Sequence, residues 1–228
     1  MELGVLIPAY NEAAYIGKTI TALKRVPQVR EITVIDDGST DKTAAEAERH
    51  GARVFRLPRN RGKAYAVLCG ARLIRQPYLA LVDADLGDSA EELFHLLQPL
   101  QEGRAEMAVA LFPRGRVKGG LGLVKKLAAW FIYRGTGCLL REPLSGQRVL
   151  RRDLLAMLRH TPRGFGLEVA LSLDLLRQGY AVVEVETRMS HRERGRDAAS
   201  ILHRGRQFAA VLRELWLRRD LLLRGSNG

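Results

Sequence analysis

The chain has 228 residues, 46% of them apolar and 27% charged, which is enough for one compact domain with its own core and too apolar for a disordered chain. No apolar run reaches the roughly eighteen residues of a membrane span, and the opening MELGVLIPAYNE has neither the basic n-region nor the cleavage site of a leader, so the expected compartment is the cytoplasm. The net charge of +12 resides in the second part: the first hundred residues carry 13 basic and 13 acidic side chains, the remainder 24 and 12, which points to an anionic partner (a polyphosphate, a nucleic acid, the cytoplasmic face of a bilayer) or to a solubilising Arg-rich surface.

In chain order, short aliphatic runs at Val5–Ile7, Ile32–Ile35, Val54–Phe55 and Tyr78–Val82 read as buried strands, each closed by polar, Gly or Pro punctuation. Helical stretches lie between them near Ala14–Lys24, Lys42–His50 and Gly62–Ile74, the second introduced by the cap-like Ser39-Thr40-Asp41. Strands alternating with helices predict an α/β domain whose mostly parallel sheet is covered on both faces. Beyond residue 105 the pattern loosens: strands at Met107–Leu111, Ser145–Leu150 and Ala181–Val185, helices at Gly119–Tyr133 and Glu168–Gln178, and a last basic helix from about Ala198 to Leu223, with Phe208, Val211, Leu212, Leu215 and Trp216 on one stripe. No repeat, low-complexity tract or linker divides the chain, and Cys69 and Cys138, without a C-x-x-C, support neither a disulfide framework nor a thiolate zinc site.

Ligands of such sheets bind beyond the carboxyl ends of the strands, and three polar clusters follow three strands: Pro8-Ala9-Tyr10-Asn11-Glu12, Asp36-Asp37-Gly38-Ser39 and Asp83-Ala84-Asp85. Asp83 and Asp85 leave an extended chain on the same side, an arrangement that attracts Mg²⁺ or Mn²⁺ together with phosphate oxygens, although short acidic triplets also occur as plain surface. A carboxylate after the second strand can accept from a ribose hydroxyl or a base N–H, while Asp37-Gly38 also suits a turn and Ser39 or Asp41 a cap. Asn60-Arg61-Gly62-Lys63 offers a glycine, a cation and a helix N-terminus to an anion, or serves as an ordinary loop.

Taken in chain order, Pro8–Glu12, Val34–Asp41, Asn60–Lys63 and Asp83–Asp85, these four motifs resemble the nucleotide-sugar-binding half of family 2 glycosyltransferases with the GT-A fold. Ser145-Gly146-Gln147-Arg148 resembles their S-G-F-R element and Gly166-Leu167-Glu168 their acidic acceptor-side element; the chain is most similar to the branch holding polyprenyl-phosphate sugar synthases and glucosyl-3-phosphoglycerate synthases. The resemblance implies a single GT-A domain over 1–228, with a donor half at 1–105 and an acceptor half at 106–228. It also implies a metal-dependent transfer of a hexose from a nucleoside diphosphate sugar, UDP first, to a polyprenyl phosphate or another phosphorylated or hydroxylated acceptor. Pro8, Ala9, Tyr10 and Glu12 would border base and ribose, Asp37 would contact uracil or ribose, Lys63 and Ala84 would lie near the nucleotide, and Asp83 and Asp85 would meet ribose and metal. His191 would complete the metal's shell, although a lone histidine in an Arg-rich loop also reads as plain surface; Glu168 would act as general base for a hydroxyl acceptor, whereas a lipid phosphate needs no base and Arg148, with Arg114, Arg116 and Arg196, would then meet phosphate oxygens.

Two departures stand out: Gln147 occupies the Phe position of S-G-F-R, and Asp83-Ala84-Asp85 is followed by Leu86-Gly87-Asp88 without the Gln common in polyprenyl-phosphate enzymes. Leu121, Val124, Leu127, Trp130 and Phe131 beside Lys118, Lys125, Lys126 and Arg134, and Trp216 and Leu221–Leu223 beside Arg213, Arg218, Arg219 and Arg224, suit either an anionic membrane surface, which would make the protein peripheral on the inner face, or packing on the sheet or in a homodimer. A sugar-phosphate nucleotidyltransferase is an alternative, but it wants a Gly- and Arg-rich loop after the first strand. A nucleic-acid-binding module is another, without a recognition helix or RNA-binding aromatics to support it, so nucleic acid is not expected as a partner.

Overall fold

The computed structural model describes residues 1–113, 122–162, 166–191 and 209–220. Seven strands form one sheet in the order β3-β2-β1-β4-β6-β5-β7: β1 (Leu3–Ala9), β2 (Val29–Asp36), β3 (Arg53–Arg56), β4 (Tyr78–Leu81), β5 (Met107–Leu111), β6 (Arg148–Arg151) and β7 (Val182–Glu186). All neighbours are parallel except β6, which runs antiparallel to both β4 and β5.

Helices cover both faces, so the central strands are apolar on both sides and β5, MAVAL, is buried throughout. Alternate residues enter opposite layers: Leu6, Leu79, Leu81, Met107 and Val109 pack with α3 (Lys63–Ala71), α5 (Gly122–Thr136) and α6 (Gly166–Arg177). Val5, Ile7, Ala80, Val82, Ala108 and Ala110 pack with α1 (Ile16–Leu23) and α4 (Leu93–Gln101). A short α2 (Thr43–Arg49) lies beside α1, and residues 209–217 form α7, whose Val211 and Leu215 join the layer of α5 and α6.

This topology confirms the predicted α/β class and gives bounds to α4, where the sequence reads as helix around His95 without marking its ends. Leu93, Leu96, Leu97 and Leu100 recur there at helical spacing and are all buried, but Pro99, a residue that normally breaks a helix interior, sits inside the helix and hides the pattern. The basic C-terminal helix is seen only from residue 209; its expected beginning at 198–208 and its end at 221–223 lie outside the described residues. Among the described residues no helix is long and apolar enough to cross a membrane.

The antiparallel β6 has a specific consequence. Its first residue, Arg148, pairs with Leu81 at the end of β4, so the segment leading into it arrives at the same edge where the parallel strands deliver their carboxyl ends. Leu111 pairs with Glu186, and Thr187 donates to the Leu111 carbonyl at 3.0 Å, which sends the chain after β7 to that edge as well.

Candidate active site

The three clusters do meet along one edge. The β1 and β2 loops are stitched together: Asn11, in the left-handed region at φ 56°, accepts from the Thr40 N–H at 2.9 Å, its own N–H donates to Ser39 Oγ at 3.0 Å, and the Glu12 N–H donates to Thr43 Oγ1 at 2.8 Å. Ala9 and Glu12 are buried, Pro8 is half-buried, and Tyr10, 44% exposed, presents its ring at the rim.

Asp37, expected to contact uracil or ribose, is tied first to the neighbouring loop. It is 3% exposed, and its two oxygens accept the N–H groups of Arg61 and Gly62 at 2.7 Å each. Burial, aided by Asp36, raises its pKa despite those hydrogen bonds. Asp37 thus shapes the loop before α3, where Gly62 takes φ +89°, and so sets the direction in which Lys63 leaves the first helical turn.

Beyond β4, the fully buried Thr19 of α1 donates to the Ala84 carbonyl at 2.8 Å and accepts from the Gly87 N–H at 2.9 Å, pinning the Asp83–Gly87 turn; Ala84 itself is buried. Asp83 Oδ1 faces Lys63 Nζ at 2.7 Å, and the same ammonium reaches Glu168 Oε1 at 3.0 Å. Asp83 Oδ2 accepts from Gln147 Nε2 at 2.7 Å, while Gln147 Oε1 accepts from the Asp83 N–H at 2.9 Å. His191 stands on the other side, its Nδ1 3.0 Å from Asp85 Oδ1 and its Nε2 4.0 Å from Asp83 Oδ2, with its ring stacked on Phe112 at 4.7 Å between centroids.

The electrostatics follow from this packing. Burial opposes the charged forms of Lys63, Asp83 and His191, yet in each case the opposite charges win: Lys63 is raised by Asp83 and Glu168, Asp83 is held down at about 2 chiefly by Lys63 and then His191, and His191 is raised by its hydrogen bond to Asp85 and the charges of Asp83 and Asp85. Three carboxylates nevertheless stand against one ammonium and one imidazole. One ligand atom from each of Asp83, Asp85 and His191 lies within 4.8 Å of the others, and two carboxylates with an imidazole form a donor set suited to Mg²⁺ or Mn²⁺.

Arg148 corrects another expectation. It is fully buried, donating to the carbonyls of Ser145 at 2.8 Å and Pro143 at 2.9 Å and to Ser172 Oγ at 2.8 Å, and burial lowers its pKa to about 10. It cannot meet a phosphate in this position; it holds the 143–147 segment against the site. Gly146 leaves room there for the Lys63–Asp83 pair, because an added Cβ would stand 2.4 Å from Lys63 Nζ and 3.0 Å from Asp83 Oδ2 and one of these tips would have to shift. Glu168, only 2% exposed, faces Lys63. Arg114, Arg116 and Arg196 lie outside the described residues. Sequence reasoning did not give Thr19 or Gly146 a role: a threonine inside a helix carries no signal of its contact with a turn 65 residues away.

A family model described as glycosyl transferase family 2 matches residues 4–153. Glycosyltransferase AglJ of Haloferax volcanii is 30% identical over 198 residues, 85% of this chain and 64% of the relative. Undecaprenyl-phosphate 4-deoxy-4-formamido-L-arabinose transferase of Pseudomonas paraeruginosa is 29% identical over 203 residues, 84% of this chain and 58% of the relative, so the chain spans about three fifths of the length of these two curated relatives. Glucosyl-3-phosphoglycerate synthase of Mycobacterium tuberculosis is 31% identical over 238 residues, 92% of this chain and 72% of the relative. A crystal structure of that synthase with Mn²⁺, UDP-glucose and phosphoglyceric acid superposes with a TM-score of 0.79 at 28% identity, covering 95% of this chain and 79% of the other; one with Mg²⁺ and UDP gives 0.78 at 26%.

Proposed function

The chain belongs to glycosyltransferase family 2, and from that premise we propose that it transfers a hexose from a nucleoside diphosphate sugar, a UDP-sugar first, to a phosphorylated acceptor with the help of Mg²⁺ or Mn²⁺. The observation that carries this reading is the convergence of Asp83, Asp85 and His191 within 4.8 Å at the carboxyl edge of the sheet. These three side chains would hold the divalent cation, which when bound would offset the charge gathering on the departing nucleoside diphosphate. Tyr10 and Pro8, at the end of β1 on the same edge of the sheet, would border the base, and Lys63 would hold Asp83 and Glu168 in place.

Two features support a phosphorylated acceptor. The charge surplus of the second half suits an anionic molecule, and Glu168, enclosed and facing Lys63, is poorly placed to take a proton from a neutral hydroxyl. A phosphate oxygen that itself attacks, as in a polyprenyl phosphate, is already ionised and needs no base, whereas a phosphorylated acceptor that attacks through a hydroxyl would still need one. On α5, Leu123, Trp130 and Tyr133 are exposed beside Lys126 and Arg134, an amphipathic arrangement that supports contact with an anionic membrane surface where a lipid phosphate would be met. On α7 the same reading fails for Arg218, which is fully buried.

The test is nucleotide release from UDP- and GDP-sugars in the presence of Mn²⁺, with undecaprenyl phosphate in micelles, 3-phosphoglycerate or glycerol as acceptor. Release is expected with UDP-sugars and a phosphorylated acceptor. Release with 3-phosphoglycerate or glycerol, lost in Glu168→Gln, would favour attack by a hydroxyl and restore Glu168 as the base; no release with any sugar would contradict the transferase reading.

A further inference from the structure

Gln147 is fully buried at the mouth of the site and stands where the resembled S-G-F-R element has an apolar ring. Its amide closes a two-point clamp on a single residue: Oε1 accepts the Asp83 N–H at 2.9 Å and Nε2 donates to Asp83 Oδ2 at 2.7 Å. The two partners fix which end of the amide faces which group, because only the oxygen can accept and only the nitrogen can donate. Gln147 is itself anchored from behind. Its carbonyl accepts from the Ala110 N–H at 3.0 Å on β5, and the next residue, Arg148, is locked by three hydrogen bonds to Ser145, Pro143 and Ser172.

We infer that Gln147 is a positioning residue for the divalent cation, acting through Asp83; this rests on the reading of Asp83, Asp85 and His191 as the cation's donors. With Lys63 on Oδ1 and Gln147 on Oδ2, each Asp83 oxygen has one donor, and Oδ2 is the oxygen that faces His191. The amide would thus hold Oδ2 towards His191 and oppose a swing of the carboxylate towards Lys63 into a two-oxygen ion pair that would withdraw it from the site. Outer groups that orient a metal's ligands commonly change metal affinity by about 10–100-fold when removed.

The experiment follows free Mn²⁺ by its EPR signal in the presence of saturating UDP, with thermal unfolding recorded alongside. Gln147→Met, close in length but unable to hydrogen-bond, should raise the Mn²⁺ Kd about tenfold in protein that still melts cooperatively. A lower Tm with an unchanged Mn²⁺ Kd would overturn the inference and leave Gln147 a packing residue. Should Gln147→Met not fold, the wild type decides: the Gln147 side-chain ¹⁵N amide resonance should move on Mg²⁺ titration with the same saturation as Mg²⁺ binding, and a resonance that stays still through saturation would equally overturn it. A wild type that binds no Mn²⁺ would instead bring down the cation site itself, and this inference with it.

Discussion

Asp83, Asp85, Glu168, Lys63 and His191 at the sheet edge, and Asp174, Glu214, Arg213 and Arg218 where α7 meets α6, are built from the same kinds of side chain to opposite ends. In the second cluster the charges balance, and its three central groups are at most 1% exposed: Arg218 grips Asp174 with Nε at 2.8 Å and Nη2 at 2.6 Å, and reaches Glu214 with Nη1 at 2.5 Å. Asp174 also accepts the Arg159 N–H at 3.0 Å, and Arg213 covers the other Glu214 oxygen at 2.6 Å. At the sheet edge the carboxylates outnumber the cations, and the side chains of Asp83 and His191 remain 26% and 37% exposed. A closed, neutral cluster fastens one helix to another, whereas an open one with surplus negative charge keeps a place for a cation from outside.

The largest effect should come from breaking the closed cluster. Arg218→Met leaves Asp174 and Glu214 buried without their main cation, which costs about 3–5 kcal/mol, or about 6–20 °C in Tm for a chain of this size. The Mn²⁺ and UDP affinities of the folded protein should stay within about twofold, because the ion pairs of Asp174, Glu214 and Arg218 run to one another and to Arg213 rather than to Asp83, Asp85 or His191. Asp85→Ala should do the reverse: a loss of about 100-fold or more in metal-dependent turnover, roughly 2.7 kcal/mol of barrier, with Tm nearly unchanged on differential scanning fluorimetry. Loading the open site with Mn²⁺ and UDP at a hundred times their Kd should add about 2.7 kcal/mol of stability to the wild type and nothing to Asp85→Ala. Gly146→Ala, which presses a methyl group on the ammonium of Lys63 and so disturbs its pair with Asp83, should lower turnover by about tenfold, near 1.4 kcal/mol of barrier, in a kinetic assay. Trp216→Ala, on a side chain 61% exposed, should change stability by no more than about 0.5 kcal/mol.

Much of the sheet edge was legible in the sequence because its residues follow strands directly. The alternation of apolar runs with helices locates Asp36, Asp83 and Asp85 at strand ends, and the sheet rule then brings those ends together. His191 was legible for the same reason, standing a few residues after β7. What the sequence could not show is set by pairing over long separations. Gln147 meets Asp83 across 64 residues only because β6 inserts antiparallel between β4 and β5, and no local pattern announces that insertion. Arg148 looks like a ligand-binding residue by type, but it is buried and its hydrogen bonds hold backbone groups. The closed cluster was hidden likewise: Arg218 reads as one more charge on a basic helix until α6 places Asp174 beneath it.

The most direct test of the central claim, that the open cluster is a cation-dependent nucleotide site, is isothermal titration of UDP into the wild type and Asp85→Ala, each with and without Mn²⁺. The account predicts binding by the wild type that depends on Mn²⁺ and is lost or weakened by about 100-fold in the variant. UDP binding of equal strength with and without Mn²⁺, or undiminished in Asp85→Ala, would contradict it.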